Sequence, residues 1–241
     1  MPLSVAPPPE VIEVAAGWFV GAYRFSQAPA AERGPLYPST LSFGYDSAPA
    51  LTRGLGIDAR AWLGDRIGLE LSGRGTAYNE RFTSADQVPP PEARTLEQAT
   101  VGGLARKAVP LRGMTLVSEL QVGLWTGSIM VHGQSQGEDG ALEPEVRQAM
   151  MGGAFFGAGA TLHRSAWQLR ASERVGLATD LSPAWVNVGL DLRRDLTHGL
   201  FVALDAEGSS RIASLSGPDA DAVGTVADRL SGGTLALGYA R

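Results

Sequence analysis

Strict two-residue alternation of apolar and polar side chains, repeated in segment after segment and broken by glycine turns, constrains this chain more than any other feature. Between Ile67 and Tyr78 one set reads Ile67, Leu69, Leu71, Gly73, Gly75 and Ala77; the other reads Gly68, Glu70, Ser72, Arg74, Thr76 and Tyr78. Successive side chains of a strand point to opposite faces, so this period sorts the two sets onto opposite sides. Wound as a helix, the stretch would scatter its charges and carry three interior glycines, each costing about 1 kcal/mol relative to alanine.

The segment before it behaves alike. Leu55, Ile57, Ala59, Ala61 and Leu63 alternate with Gly54, Gly56, Asp58, Arg60 and Trp62, and Gly64-Asp65-Arg66 supplies the tight turn between the two. Both apolar sets then fall on one face of a hairpin.

The pattern predicts further strands over 11–25, 97–107, 115–126, 148–163, 167–179, about 186–193, about 200–207 and 227–241. The sixth, 148–163, is so rich in glycine and alanine that alternation leaves its facing open. Connections after the second, fourth, sixth and eighth strands are short: Gly64-Asp65, Val109 to Gly113, Arg164-Ser165 and Asp195 to Gly199. Those after the first, third, fifth and ninth are long and polar or proline-rich: Ser26 to Ala50, Asn79 to Arg94, Ile129 to Glu145 and Ser209 to Thr225. The seventh, around Asp180 to Pro183, is short and breaks the rule. Short turns at one end and long loops at the other characterise transmembrane barrels of outer membranes, with the turns on the periplasmic side. The expected fold is therefore all-β: an antiparallel up-and-down barrel of about ten strands, eight to twelve being the range, spanning residues 11–241. Residues 1–10, with Pro7-Pro8-Pro9, read as a flexible linker following a removed signal peptide.

The apolar set would face lipid and the polar set the lumen. On this register the inward charges are Asp58, Glu70, Glu119, Asp191, Asp205 and Glu207 against Arg60, Arg74, Arg106, Arg170, Arg174 and Arg193. Balanced charges in a narrow lumen can pair and so offset a desolvation cost of several kcal/mol per ion. Outward, an arginine or lysine at bilayer mid-depth costs about 2–4 kcal/mol, and the register places almost no charge there. Glu173 is the main exception. The alternative is a soluble sandwich or lipocalin-like barrel whose charged set is simply solvated.

Composition narrows the remaining classes. No run approaches the length of a transmembrane helix, and cysteine is absent, which leaves neither disulfides nor thiolate metal sites. No basic patch speaks for nucleic acid. Near the end, Leu235, Leu237 and Tyr239 alternate up to Arg241, which resembles the terminal signal that outer-membrane barrels present to their assembly machinery, although that signal ends in an aromatic residue. With its repeated hairpins, the whole chain resembles the small bacterial outer-membrane β-barrel proteins, the porin-like superfamily, and matches no particular member. The resemblance implies an outer-membrane location, with lipid, lipopolysaccharide and the barrel-assembly machinery as partners, and protein partners at the outer loops or the periplasmic N-terminus.

Catalytic patterns are weak. His132, His163 and His198 lack metal-ligand spacing. His163-Arg164-Ser165 has the His-x-Ser spacing that outer-membrane lipid A deacylases and phospholipases share, but falls in a predicted turn. Asp195 and His198 fall at the wrong end for the rim pairs of omptin-like proteases. Gly152-Gly153 and Gly157-x-Gly159 have no following helix to cradle a phosphate. The expectation is a non-enzymatic anchor, scaffold or interaction module without cofactor or metal, its lumen largely plugged. A narrow ion or solute channel is the runner-up and a membrane hydrolase or protease the third reading.

Overall fold

The structure, a computed structural model, describes residues 12–28, 45–46, 49–79, 93–136, 142–178, 183–216 and 223–241. The expected linker 1–10 and the prolines at 89–91 lie outside the described residues. Ten long strands run in chain order: β1 (Ile12–Ala28), β3 (Ala50–Trp62), β4 (Ile67–Asn79), β5 (Ala93–Leu111), β6 (Met114–Gln136), β7 (Leu142–Arg164), β8 (Trp167–Leu177), β9 (Pro183–Asp195), β10 (Leu200–Ser216) and β11 (Val223–Ala240). A two-residue strand, β2 (Tyr45–Asp46), adds to the edge of β1 at Ser26 and Gln27. Each long strand pairs antiparallel with its sequence neighbour, and β11 pairs back onto β1, closing an up-and-down barrel.

Closure is staggered. Hydrogen-bonded partners followed once round, from Ile12 through Ala61, Leu69, Gly103, Val122, Phe156, Val175, Val186, Ser210 and Arg229, return to β1 at Arg24. That is twelve residues above the start, and such a shear on ten strands tilts them by about 40° from the axis.

The four tight turns lie at one end, and each contains a residue in the left-handed region: Gly64 (φ 91°), Gly113 (φ 77°), Ser165 (φ 54°), and His198 with Gly199 (φ 60° and 79°). Ile12 and Arg241 meet at this same end, each backbone N–H donating to the other's carbonyl at 2.9 Å. The links between β1 and β3 and after β4, β6, β8 and β10, over 29–49, 80–92, 137–141, 178–182 and 217–222, belong to the opposite end.

The outward face is apolar. Leu55, Leu120, Val122, Leu124, Leu235 and Leu237 are each more than 60 % exposed, where a soluble barrel would bury such side chains in its centre. Exposed charges flank this belt as two rims, Lys107, Arg164, Arg194 and Arg241 at the turn end and Arg24, Arg53, Glu97 and Arg229 at the loop end. A continuous belt of this size between charged rims is a lipid-facing surface, and closure leaves no open edge for hydrocarbon to meet. Alternation also settles β7: Phe155 is buried inside and Phe156 is 53 % exposed outside.

Three boundaries differ from expectation. The loop predicted over Ile129 to Glu145 is largely a hairpin, since Ser128–Gln136 of β6 pairs with Leu142–Met150 of β7. Much of the loop predicted over Ser209 to Thr225 is likewise ladder, with Ser209–Ser216 on Leu230–Val223. In these stretches apolar residues no longer alternate with polar ones, the successive Ile129 and Met130 both being buried, and the sequence signal fades. At the turn end β5 runs on through Pro110 to Leu111, leaving Arg112-Gly113 as the turn. The β4–β5 ladder stops at Ala105, so the missing N–H of Pro110 breaks nothing on that side.

Candidate functional site in the barrel lumen

Inward residues divide the lumen into an apolar storey and a charged one. Toward the loop end Phe19, Tyr23, Phe25, Tyr78, Leu96, Ile129, Met130, Val226 and Leu230 form one buried cluster. Tyr23 and Tyr78 stack with ring centroids 4.4 Å apart. Beside it lies a second cluster of Trp125, Phe155, Ala184 and Trp185. Its indoles are satisfied as buried N–H groups require: Trp185 donates to Ser209 Oγ at 2.9 Å, and Trp125 to the Leu177 carbonyl at 3.3 Å.

Glycine pairs make room for these rings. A methyl built on Gly21 or on its ladder partner Gly232 would lie 2.6 or 2.5 Å from the Phe19 ring. One on Gly123 would lie 2.8 Å from the Phe155 ring, and one on its partner Gly102 3.0 Å. The rings lie flat over bare backbone, so large aromatics fit inside a narrow barrel.

Within the apolar storey sits one fully buried ion pair. Arg211 donates from Nε to Asp228 Oδ1 at 2.9 Å and from Nη2 to Oδ2 at 2.5 Å, and the Tyr23 hydroxyl donates to Oδ2 at 3.3 Å.

The charged storey lies below, toward the turn end. Arg174 donates to Glu70 Oε1 and to Gln121 Oε1, both at 2.7 Å. Arg60 approaches the second oxygen of Glu70 at 3.4 Å, so this carboxylate serves two guanidinium groups. Arg170 pairs with Glu119 at 2.7 Å and Arg74 with Glu207. Arg193 bridges Glu13 at 2.9 Å and Asp195 at 2.6 Å. Arg106 donates to the Asp65 carbonyl at 3.1 Å.

Four of these arginines also cover inward rings: Arg74 over Phe19 (4.7 Å), Arg174 over Phe155 (5.9 Å), Arg193 over Phe201 (3.8 Å) and Arg106 over Trp62 (3.7 Å). Cation–π contact with a desolvated ring contributes about 2 kcal/mol; at Phe19 and Phe155 it joins the two storeys, while Phe201 and Trp62 lie at the turn end.

Asp58, Asp191 and Asp205 stand apart, with no ion pair among the described residues. All three line a cavity of about 160 Å³ at mid-barrel. Asp191 and Asp205 are directly opposed on β9 and β10, and Thr234, the ladder partner of Asp205 on β11, turns an unpartnered hydroxyl into the same space. Room for a few waters among such groups satisfies their remaining hydrogen-bonding capacity.

The twelve charges read from the sequence thus share one interior: nine are tied into pairs or ring contacts, and the other three, Asp58, Asp191 and Asp205, line the cavity together with Arg60, Arg74, Arg170, Arg174, Arg193 and Glu207. Sequence reasoning missed Glu13, Arg211 and Asp228. Glu13 follows from the alternation of β1, whereas Arg211 lies in the stretch expected to be loop.

The weak catalytic patterns do not assemble. His163 points into the barrel from β7, while Ser165 is exposed in the turn at positive φ. Asp195 accepts from Arg193 and from Gln168 at 3.2 Å, and His198 occupies the following turn. His132 lies in the β6 backbone ladder.

No family model matches the chain, and no curated protein does. Among solved structures it is similar to the outer membrane protease OmpT from Escherichia coli, at 8 % identity over 99 % of both chains with a TM-score of 0.44. It is also similar to the attachment invasion locus protein Ail of Yersinia pestis (9 %, covering 95 % of this chain and 99 % of that one, TM-score 0.35) and to the Pseudomonas putida toluene transporter TodX (10 %, 97 % and 91 %, TM-score 0.34).

Proposed function

We propose that this chain is an integral barrel of a bacterial outer membrane, acting as a non-conducting anchor or interaction module. Lipid and lipopolysaccharide surround its belt, the barrel-assembly machinery inserts it, and its loop end meets partners. The supporting observation is the loop-side lumen, where Phe19, Phe25 and Ile129 have no exposed surface and Tyr23 and Phe155 retain 1 %. Side chains packed so closely oppose a continuous water path through this layer.

The test is conductance in planar lipid bilayers. The wild type is expected to stay silent, and Phe19→Ala with Tyr23→Ala and Ile129→Ala to admit stepwise currents. Wild-type currents of similar size would overturn the reading. A narrow channel is the second reading, favoured by the cavity lined by charges of both signs, Asp58, Asp191 and Asp205 with Arg60, Arg74 and Arg174, and it requires currents from the unaltered protein.

A further inference from the structure

Glu173 places an ionisable carboxyl where the belt allows no charge. It alternates outward on β8, is exposed, and has Ala158 of β7 and Val188 of β9 as its ladder partners. The β8–β9 ladder has its irregularity at Gly176/Leu177, three residues further on, so no bulge rotates Glu173 away. It lies six residues above Trp167, which faces outward at the turn-end rim. At an axial rise of about 2.5 Å per tilted residue this is about 15 Å, mid-depth in a belt roughly 25 Å tall. Between the two rims it is the one outward-facing charged residue among the described residues.

The wall around it is smooth. Ala154, Ala158 and Ala160 of β7 and Ala171 of β8 all face outward, and the larger neighbours Phe156, Val188 and Leu190 are aliphatic or aromatic. None of them donates a hydrogen bond. A carboxyl facing hydrocarbon therefore needs a donor from outside its own barrel, and intramembrane ionisable groups are kept where such a partner exists.

We propose that this face of β7 and β8 is the contact between two copies of the chain, with the two Glu173 carboxyls paired across a two-fold axis along the membrane normal. Such an axis keeps every residue and its equivalent at the same depth, and where it passes beside Glu173 the two carboxyls meet. Two carboxyls hydrogen-bond reciprocally, each O–H donating to the other's oxygen. The flat alanine surface lets the walls approach closely, as small residues do at other intramembrane contacts. A second copy is favoured over a basic partner because it needs only what the chain supplies: a self-complementary group at matched depth.

The proposal rests on the belt lying in a bilayer, and the test separates the two. The chain has no cysteine, so Ala166→Cys in the exposed turn takes one dye per copy. Donor- and acceptor-labelled protein is refolded into phosphatidylcholine vesicles, and energy transfer is followed as lipid is added. Transfer is expected to persist on dilution, to survive in Glu173→Gln, and to weaken about tenfold in dimerisation constant in Glu173→Leu, as loss of intramembrane hydrogen bonds would give. Glu173→Lys is expected to abolish it. Inserted wild type that stays monomeric at every density overturns the contact and leaves Glu173 to a partner with a basic group. Unchanged transfer in Glu173→Leu overturns the part given to the carboxyl. Failure to insert at all would count instead against the membrane reading.

Discussion

Arg211 and Asp228 are direct ladder partners on β10 and β11 and form a two-pronged salt bridge inside an otherwise apolar layer, both 3 % exposed or less. Removing either side strands the other charge away from water. Asp228→Leu alone is expected to cost about 3–5 kcal/mol, read as a lower midpoint in urea unfolding from lipid vesicles. The double variant Arg211→Met with Asp228→Leu is expected to recover most of that loss. A double variant no better than the single one would show that the pair itself, and not the orphaned arginine, carries the effect.

Glycines beneath the lumen rings and glycines facing lipid give opposite expectations. At Gly123 an added methyl meets the Val101 carbonyl and the Gly102 Cα as well as the Phe155 ring, so Gly123→Ala forces both backbone and ring to shift and is expected to cost about 1–3 kcal/mol. Nothing lies within 4 Å of the corresponding position at Gly75, and Gly75→Ala is expected to be neutral or slightly stabilising. Paired urea titrations decide between them, and equal effects would contradict the close approach.

The turns make a prediction of the opposite sign. Ser165 holds φ 54° in an exposed turn, a conformation that disfavours a side chain. Ser165→Gly is expected to raise stability by up to about 1 kcal/mol, and Gly64→Ala, at φ 91°, to lower it.

Glu70 holds Arg60 and Arg174 together, and Arg174 also covers Phe155. Glu70→Gln keeps the shape and removes the charge, leaving two arginines facing each other. Urea unfolding is expected to show a loss of about 3 kcal/mol or more. Glu70→Gln combined with Arg60→Met should be milder, since one of the two cations is gone.

Closure itself is tested by electrophoresis. Without boiling, the barrel is expected to migrate differently from the heated chain, because its ladders resist detergent until heated. Identical migration would speak against a closed barrel.

How far the sequence could be read follows from where each residue meets lipid. In β3 and β4, Ile57 and Leu71 face hydrocarbon while Asp58 and Ser72 face the interior, so the environment writes itself directly into the alternation. Across β7 both faces carry small residues, and only the burial of Phe155 against the exposure of Phe156 separates them. Past Ser128 the alternation stops, with Ile129 and Met130 both buried, and the paired strands resemble a loop in sequence. The rings over Gly21–Gly232 and Gly102–Gly123 were illegible for a different reason. A glycine in a strand does not say which aromatic covers it: Phe19 comes from two residues back on the strand of Gly21, whereas Phe155 comes from a different strand than Gly102 and Gly123. Glu173 was visible as a breach of the pattern, and only the register established that it is a real outward carboxyl.

The seam between β1 and β11 joins the two extremes of the chain, and every other ladder joins sequence neighbours. Until that last ladder zips from Glu13 on Ala240 to Ala28 on Thr225, two rows of amide and carbonyl groups have nothing to bond with. Each would cost several kcal/mol in hydrocarbon. A half-built sheet therefore cannot rest in the bilayer: insertion and rounding up must be one concerted event, or something must guard the two raw margins until they meet.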